Sequence, residues 1–412
     1  MYGLVLEGGG AKGAYHVGVY KAILEEGIEI KGVAGTSIGA LNGAMIVQGD
    51  FEKCYELWNE ITYSMIIDAD DDEIEQLKGI RLKREDLKIL ADKIKPVIAD
   101  RGFDITPLRN LIETYIDEDK IRNSGMDFGI VTINLTDRKP VELFVEDMLY
   151  GELKSFLIAS AYLPVFKQEK IGGKVYLDGG FYDNLPFRLL QSKGYKDLII
   201  VRTYARGRTR RIKYGSINPI IVAPSDDIGG VYVLNPENIK RNIELGYYDG
   251  LKAFRGLKGR KYYVKPKDDS DFYFNMLLSL DEEQIINIGK LMKTPDMPSK
   301  RVLFEYIVPK LGSSLGLPKD FSYEDLIIAL LERKAEVREI QRFKIYSFEE
   351  LLDLINCTPR PEKEDNGSSG VLNKLIEKVD ITTLFNKDEV ILEIADIILC
   401  GNEVVHIADK EK

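Results

Sequence analysis

The amino-acid sequence predicts an α/β fold with a mostly parallel sheet flanked by helices, followed by a helical C-terminal region. Short apolar runs alternate with helical segments through the first half of the chain. Two glycine-framed loops each follow a strand-like run and precede a helical one. Beyond about Lys258 the strand-like runs give way to segments with helical spacing. A βαβα order of this kind is typical of parallel sheets covered by helices.

The alternation begins with a predicted strand at residues 3–6 and a predicted helix at 14–26. Pro107 suits the first turn of a later helix. The segment 64–102 loses its periodicity and is predicted to be a surface insertion. The other predicted strands are 32–35, 128–135, 141–145, 174–177 and 198–203. The other predicted helices are 38–47, 50–63, 104–115, 153–161, a helix that includes 189–192, and 237–254.

The change of pattern divides the chain into two predicted domains, residues 1–258 and 259–412. An apolar stripe on the segment 323–343 favours core packing of the second domain over a membrane-facing lid. A stretch near 357–370, rich in Pro, Gly, Ser and charge, is predicted to be a flexible linker. The helices of this region are predicted at 282–292, 299–308, 323–343, 348–355 and 371–399.

The composition excludes several classes of protein. A formal net charge of −10 opposes broad nucleic-acid binding, which requires a basic face. With 2 His and 3 Cys, neither a disulfide framework nor a metal site built from these side chains is expected. The sequence therefore predicts no metal and no cofactor, and it leaves protein partners open.

The N-terminal residues give an expectation about location. Met1 and Tyr2 run directly into the first strand without a basic or apolar leader, so no signal peptide is expected. No stretch approaches the roughly 18 apolar residues of a transmembrane helix. We therefore expect a cytoplasmic protein, and peripheral contact with membranes is left open.

A glycine-rich loop follows the first strand and could bind an anion. Backbone N–H groups of such a loop can stabilise a developing oxyanion. Dinucleotide-binding folds share the spacing, but they need an acidic residue at the end of the second strand, where this chain has Ser37. A phosphate-binding loop needs Ser or Thr after its lysine, where this chain has Gly13. The alternative that the loop is only a structural turn stays open. The loop consists of Gly8, Gly9, Gly10, Ala11, Lys12 and Gly13.

A second glycine-framed loop has the pattern G-x-S-x-G between a strand and a helix, which is the setting of a nucleophile elbow. The Ser37 hydroxyl would project at the N-terminus of the following helix, whose dipole favours developing negative charge. The simpler alternative is that Ser37 only caps this helix. The loop consists of Gly35, Thr36, Ser37, Ile38 and Gly39.

A serine hydroxyl is a weak nucleophile without a base. Asp178 follows the strand-like run 175–177 and precedes Gly179 and Gly180, which leave room beside its carboxylate. An aspartate in this position can approach Ser37 directly and act as general base. The alternative base is His406, as in an α/β-hydrolase, which shares G-x-S-x-G and places its histidine last.

Together, these motifs resemble the patatin-like phospholipases, a family of serine lipid acyl hydrolases with a Ser-Asp dyad. Three family motifs occur in the family's order: G-G-G-x-[KR]-G at 8–13, G-x-S-x-G at 35–39 and D-G-[GA] at 178–180. The blocks at 159–164 and 184–186 are also similar, and the resemblance covers residues 3–205.

The resemblance implies a three-layer α/β/α fold, with Ser37 as nucleophile, Asp178 as base and the glycine-rich loop as oxyanion hole. It implies a phospholipase A-type esterase that cleaves acyl esters of membrane lipids through an acyl-enzyme. The lipid class and positional preference stay open. The alternatives are an α/β-hydrolase-type esterase using His406 and a non-catalytic lipid-binding or signalling module.

Three charged features have both a functional and a simpler interpretation. The basic run 206–213 could dock anionic lipid head groups or bind a phosphorylated effector, but it is also typical of a solvated loop. Lys12 could strengthen the anion site or lie in solvent. The acidic run 68–73 lacks the pattern of a calcium loop and is predicted to be a solvated flap.

Overall fold

The computed structural model describes residues 1–68, 102–212, 215–361 and 381–400. The chain forms two compact units, Met1–Arg255 and Gly256–Lys412. Most of the predicted insertion at 64–102, most of the predicted linker near 357–370 and His406 lie outside the described residues.

A seven-stranded sheet forms the centre of the first unit. Its strands are β1 (Tyr2–Leu6), β2 (Ile30–Thr36), β3 (Asp127–Asn134), β4 (Lys139–Phe144), β5 (Tyr176–Asp178), β6 (Asp197–Val201) and β7 (Asn218–Val222). The order is β4-β3-β2-β1-β6-β7, with β5 paired to β3 beside this path. All pairings are parallel except those of β4 and β5 with β3. The prediction of a mostly parallel sheet is confirmed.

Helices cover both faces of this sheet. Val33 and Ala34 are neighbours on β2 and therefore point to opposite faces. Val33 meets the second helix, where a Cβ added at Gly43 would lie 3.1 Å from its Cγ1. Ala34 belongs to a buried cluster that includes Leu190 of a later helix. The helices are α1 (Ala14–Glu25), α2 (Ile38–Val47), α3 (Phe51–Glu60), α4 (Thr106–Tyr115), α5 (Glu118–Arg122), α6 (Leu153–Ser160), α7 (Gly180–Asp183), α8 (Phe187–Ser192) and α9 (Pro236–Arg255).

The arrangement is a three-layer α/β/α fold, as the resemblance implied. Two of its helices, α1 and α9, pack backbone against backbone. A Cβ at Gly18 would lie 1.9 Å from the carbonyl oxygen of Ile243, and one at Gly246 would lie 2.2 Å from that of Tyr15. Only glycine fits at these two positions, because real Cβ atoms do not approach backbone so closely.

The second unit is mainly helical and has its own buried apolar cluster. A short parallel pair, β8 (Tyr263–Val264) and β9 (Ile345–Tyr346), is its only sheet among the described residues. Its helical segments are α10 (Phe272–Leu278), α11 (Glu282–Met292), α12 (Ser299–Val302), a π-helical turn (Leu303–Ile307), α13 (Val308–Ser314), α14 (Tyr323–Val337), α15 (Phe348–Cys357) and α16 (Ile381–Cys400).

The helix predicted at 323–343 ends earlier, at Val337. Its chain leaves the helical conformation at Glu339, whose φ is 53°, and the N–H of Ile340 donates back to the Ala335 carbonyl. Its apolar stripe is buried in the core of the second unit, for example at Leu326 and Leu330. Within the part of the chain that the structure describes, no helix is long and apolar enough to cross a membrane.

Candidate active site

Strand β3 sets the spacing between Ser37 and Asp178. Val131 pairs with Thr36, the last residue of β2, and the next residue, Thr132, pairs with Asp178, the last residue of β5. Strand β4 occupies the other edge of β3 over these residues. Strands β2 and β5 therefore lie end to end along one edge, and the structure brings Ser37 and Asp178 together where they meet.

Glycines make this approach possible. A Cβ at Gly179 would lie 2.2 Å from the Val131 carbonyl oxygen and 2.9 Å from the Thr36 methyl group. A Cβ at Gly180 would lie 2.7 Å from the Asn184 side-chain oxygen. A side chain at 179 would therefore force the loop that carries Asp178 away from β2 and β3, and one at 180 would press on Asn184.

Ser37 sits on a sharp turn between β2 and α2. Its backbone has φ 56° and ψ −126°, a conformation that L-residues rarely adopt and that marks a strained elbow. A Cβ at Gly35 would lie 2.2 Å from the Gly39 carbonyl oxygen, and one at Gly39 would lie 2.3 Å from that of Leu6. The side chain of Ile38, the next residue, lines the cavity described below. The two framing glycines are thus required by close backbone contacts.

The elbow is held from behind by Ser160. The Ser160 hydroxyl accepts a hydrogen bond from the Ser37 N–H at 2.9 Å and donates one to the Val131 carbonyl at 2.7 Å. The Ser160 carbonyl accepts from the Gly179 N–H at 3.2 Å. One fully buried residue therefore links the Ser37 turn to the Asp178 loop. The segment 159–164 resembles the family, but nothing in its sequence indicates this role of Ser160.

We expect Ser160→Ala to lower the free energy of unfolding by about 1–3 kcal/mol, because it leaves a buried N–H and a buried carbonyl unpaired. It should also lower kcat, since the elbow loses its support. Urea unfolding and ester hydrolysis measure the two effects. Ser192→Ala is the control, because Ser192 is exposed and its hydroxyl donates to the Leu189 carbonyl at the end of α8. Equal stability of both variants would contradict this role.

The Asp178 carboxyl is buried, with 4% of the residue exposed. Its Oδ1 accepts a hydrogen bond from the Gly180 N–H at 2.7 Å. Desolvation raises the pKa of Asp178 to about 6, against hydrogen bonds from Ser37 and Gly180 that lower it. Its Oδ2 has no hydrogen bond of good distance and angle within the described residues. The Ser37 hydroxyl is near enough to the carboxyl to lower its pKa.

Several backbone N–H groups of the glycine-rich loop already donate hydrogen bonds within the protein. The N–H of Gly8 donates to the Asn184 carbonyl, that of Ala11 to the Val231 carbonyl and that of Lys12 to the Gly9 carbonyl. These three are not available to an oxyanion, and Gly13 closes a 3-10 turn. Among the described residues, no acceptor pairs with the N–H of Gly9 or Gly10. Gly9 and Gly10 are therefore the residues of the described loop whose N–H groups are available to an anion.

Gly10 has a left-handed backbone, with φ +54°, and a Cβ there would lie 2.4 Å from the Val231 carbonyl oxygen. The neighbouring Lys12 side chain points back into the protein, where its Nζ donates to the Thr203 carbonyl at 3.2 Å. Burial lowers the pKa of Lys12, and Asp227 and Glu7 oppose this effect. Lys12 thus anchors the loop and does not lie free in solvent.

A cavity of about 160 Å³ opens beside Ser37. Ser37, Gly10 and Ile38 line it together with apolar side chains from distant parts of the first unit. These side chains include Leu41, Met45, Trp58, Ile112 and Phe166. An apolar cavity next to a serine hydroxyl can hold a hydrocarbon chain whose carboxyl end lies at that hydroxyl.

His16 is not placed to serve as a base. It is fully buried in α1, and burial lowers its pKa to about 3, so it stays neutral. Its Nδ1 lies 3.3 Å from the side-chain nitrogen of Asn42, which in turn donates to the Gly13 carbonyl. His16 therefore belongs to the packing behind the glycine-rich loop. Within the described ranges, no three His, Cys, Asp or Glu side chains converge as metal ligands.

The first unit of the chain is similar to a family of known proteins. Residues 4–190 match the family model described as patatin-like phospholipase. Residues 4–190 form a patatin-like phospholipase domain. The match includes the glycine-rich loop, the Ser37 elbow and Asp178.

Relatives of the patatin-like domain occur in animals and yeast. The chain is 26% identical over 286 residues to patatin-like phospholipase domain-containing protein 7 of Rattus norvegicus, covering 65% of this chain and 18% of that protein. It is 25% identical over 301 residues to lysophospholipase NTE1 of Saccharomyces cerevisiae, covering 70% and 16%. It is 31% identical over 185 residues to neuropathy target esterase sws of Drosophila persimilis, covering 45% and 11%. The chain thus spans less than a fifth of the length of these relatives.

Two solved structures align with most of the chain at low identity. VipD from Legionella pneumophila aligns with a TM-score of 0.37 and 15% identity, covering 97% of this chain and 91% of VipD. The type III effector ExoU aligns with a TM-score of 0.36 and 15% identity, covering 80% and 74%.

Proposed function

We propose that this protein is a serine hydrolase that cleaves acyl esters of membrane lipids, with Ser37 as nucleophile and Asp178 as base. The observation that carries the proposal is the placement of a strained serine elbow against a buried carboxylate, beside an apolar cavity. The family match over residues 4–190 and the lysophospholipase name of the yeast relative support the same class of reaction.

In the proposed first step, the Ser37 oxygen attacks the ester carbonyl carbon while its proton passes to Asp178. The carbonyl oxygen becomes an oxyanion, which the N–H groups of Gly9 and Gly10 stabilise. The bond to the alcohol then breaks, and Asp178 returns the proton to the leaving oxygen. Water repeats the sequence on the acyl-enzyme, which releases the fatty acid and restores the Ser37 hydroxyl. No third residue is needed to balance the protons.

The electrostatics suit this role. Because desolvation raises the pKa of Asp178 to about 6, the carboxyl is ionised at pH 7 and is a stronger base than an exposed aspartate. Its Oδ2 is the buried oxygen without a well-formed hydrogen bond among the described residues. We assign the proton transfer to this oxygen.

The lining of the cavity favours a substrate with a hydrocarbon acyl chain. A lining made mostly of aliphatic and aromatic side chains accommodates a hydrocarbon chain and offers little to a polar acyl group. A single-chain lysophospholipid is the first substrate to test, in view of the yeast relative.

The test compares hydrolysis of a lysophospholipid by wild type, Ser37→Ala and Ser192→Ala. We expect Ser37→Ala to lose hydrolysis and Ser192→Ala to retain it, with both variants folded by circular dichroism. Hydrolysis by Ser37→Ala at the wild-type rate would refute the nucleophile. Absence of hydrolysis in wild type for lysophospholipids, phospholipids and soluble esters alike would favour a non-catalytic lipid-binding module.

The alternative with His406 makes a different prediction. If Asp178 is the base, His16→Ala and His406→Ala should hydrolyse a soluble ester at near wild-type rates. A loss of kcat in His406→Ala with an intact fold would instead favour an α/β-hydrolase scheme.

A pH profile provides a separate test. The base acts when ionised, so kcat/KM for a soluble ester should rise with pH and reach half its maximum near pH 6. Asp183 is a neighbouring buried carboxyl whose pKa is also raised to about 6 by burial, against the charge of Arg210. Asp183→Asn should leave the midpoint near pH 6. A midpoint that disappears in Asp183→Asn would contradict the assignment to Asp178.

A further inference from the structure

The chain that follows β6 carries arginines along the edge of the candidate active site. We call residues 204–212 the basic loop. Arg206, Arg208 and Arg211 are exposed, and Tyr204 is 58% exposed. The net charge of the whole chain is −10, so this concentration of positive charge runs against the composition.

The backbone of the basic loop is fixed to the loop that carries Asp178. The N–H of Arg208 donates to the Gly180 carbonyl at 2.8 Å, and the Arg208 carbonyl accepts from the Asn184 N–H at 2.7 Å. A Cβ at Gly207 would lie 2.8 Å from Asn184 and 2.9 Å from the Gly180 carbonyl oxygen. The position of the arginines relative to Asp178 is therefore set by hydrogen bonds and close packing.

The start of the basic loop also touches the glycine-rich loop. A Cβ at Gly9 would lie 2.9 Å from the Thr203 hydroxyl and 3.3 Å from the Ala205 methyl group. The Thr203 hydroxyl donates to the Gly8 carbonyl at 2.7 Å. The basic loop thus borders the candidate site on both its oxyanion side and its aspartate side.

The exposed arginines lack the ion pairs that most other arginines have. Arg202 pairs with Glu7 at 3.0 Å, and Arg210 lies 3.0 Å from Asp183, although that pair is not aligned as a hydrogen bond. For Arg206, Arg208 and Arg211, the described part of the chain supplies no carboxylate partner. Arg210 is partly buried and is already neutralised by Asp183. The three exposed arginines are available to a partner.

We propose that the basic loop docks the patatin-like domain on an anionic phospholipid membrane, with the active site facing the bilayer. Exposed charges that follow one another along a surface loop suit a plane of head groups, whereas a single soluble phosphate would require cations that converge. The Tyr204 ring, with the Arg202 guanidinium 4.8 Å from its centroid, is of the type that sits at a membrane interface. The inference rests on the proposed lipid substrate, because docking would bring that substrate to the cavity beside Ser37.

The test measures vesicle binding in a background that cannot hydrolyse lipid. Full-length Ser37→Ala is sedimented with phosphatidylcholine vesicles with and without phosphatidylserine, at low and high salt. Arg206→Glu/Arg208→Glu is compared with Lys31→Glu/Lys196→Glu, which changes the charge equally near the opposite ends of the strands, beside the start of β2 and of β6. Arg206→Gln/Arg208→Gln keeps the test interpretable if charge reversal disturbs folding.

We expect Ser37→Ala to prefer the vesicles with phosphatidylserine, and high salt to weaken the binding. Each arginine near an anionic surface contributes about a fivefold gain, so the Glu variant, which loses two of them, should bind at least about 25-fold more weakly. The Gln variant should be intermediate and the lysine control unchanged. Because catalysis is absent, failure here is distinct from failure of the proposed hydrolase.

Equal binding of the loop variant and the lysine control would overturn the proposal, as would indifference of Ser37→Ala to phosphatidylserine. A third contrary result is loop-dependent binding of inositol hexakisphosphate without binding to vesicles. That result would assign the basic loop to a soluble polyanion.

Discussion

Asp178→Asn is expected to lose hydrolysis and gain stability in the same protein. Removal of a general base lowers kcat by about 10²–10⁴-fold. The substitution keeps the size of the side chain and an oxygen that can accept from the Gly180 N–H. Hydrolysis of a soluble ester and thermal unfolding of the same preparation measure both effects.

The gain in stability follows from the pKa of Asp178. Desolvation raises this pKa from 3.8 to about 6, so the folded state disfavours the ionised carboxyl. Two units correspond to roughly 3 kcal/mol as an upper bound. The cost is complete above about pH 6, where the carboxyl is ionised in both states, and absent below about pH 4, where it is protonated in both.

The stability advantage of Asp178→Asn should therefore be largest at pH 7–8 and vanish on acidification. If Asp178 had only a structural role, Asp178→Asn would lower the Tm as well as the activity. Retained kcat in a well-folded Asp178→Asn would refute its role as base.

Gly10→Ala is expected to lower the rate of hydrolysis strongly while Ser37 and Asp178 stay in place. The new Cβ would lie 2.4 Å from the Val231 carbonyl oxygen and 2.8 Å from a Val231 methyl group, so the loop must move. This displacement takes the N–H groups of Gly9 and Gly10 from the oxyanion. Loss of one such donor lowers kcat by about 10²–10³-fold.

Gly27→Ala is the matched control for this prediction. Gly27 also has a left-handed backbone, with φ +62°, but a Cβ there has no neighbour within 4 Å. Both variants should lose about 1–2 kcal/mol of stability from backbone strain, and only Gly10→Ala should lose kcat. Equal kcat values for the two variants would contradict the assignment of the oxyanion hole.

The layers of the fold could be predicted because each element is coded locally. The run before Gly8 and the pattern 35–39 indicate strand, turn and helix from adjacent residues alone. The strand β7 (Asn218–Val222) was not predicted. It is an edge strand whose second residue is Pro219, and proline weakens a strand signal. The sequence pattern predicted that helix α14 extends past Val337, because hydrophobic spacing does not reveal the positive φ of Glu339.

The site was predictable only in its residue types. The local motifs singled out Ser37 and Asp178, but their spacing depends on the register of Val131 and Thr132 on β3. The available donors of the glycine-rich loop depend on carbonyls of Asn184 and Val231, which are remote in sequence. The apolar cavity is equally invisible to sequence patterns, because its lining comes from separate segments.

The most direct test of the central claim is to map the adduct of a fluorophosphonate probe by mass spectrometry. Such a probe reacts with a serine hydroxyl only where a neighbouring base activates it. We predict a single modified peptide carrying the adduct on Ser37, and much slower labelling of Asp178→Asn. Labelling of another serine, or equal labelling of wild type and Asp178→Asn, would contradict the account.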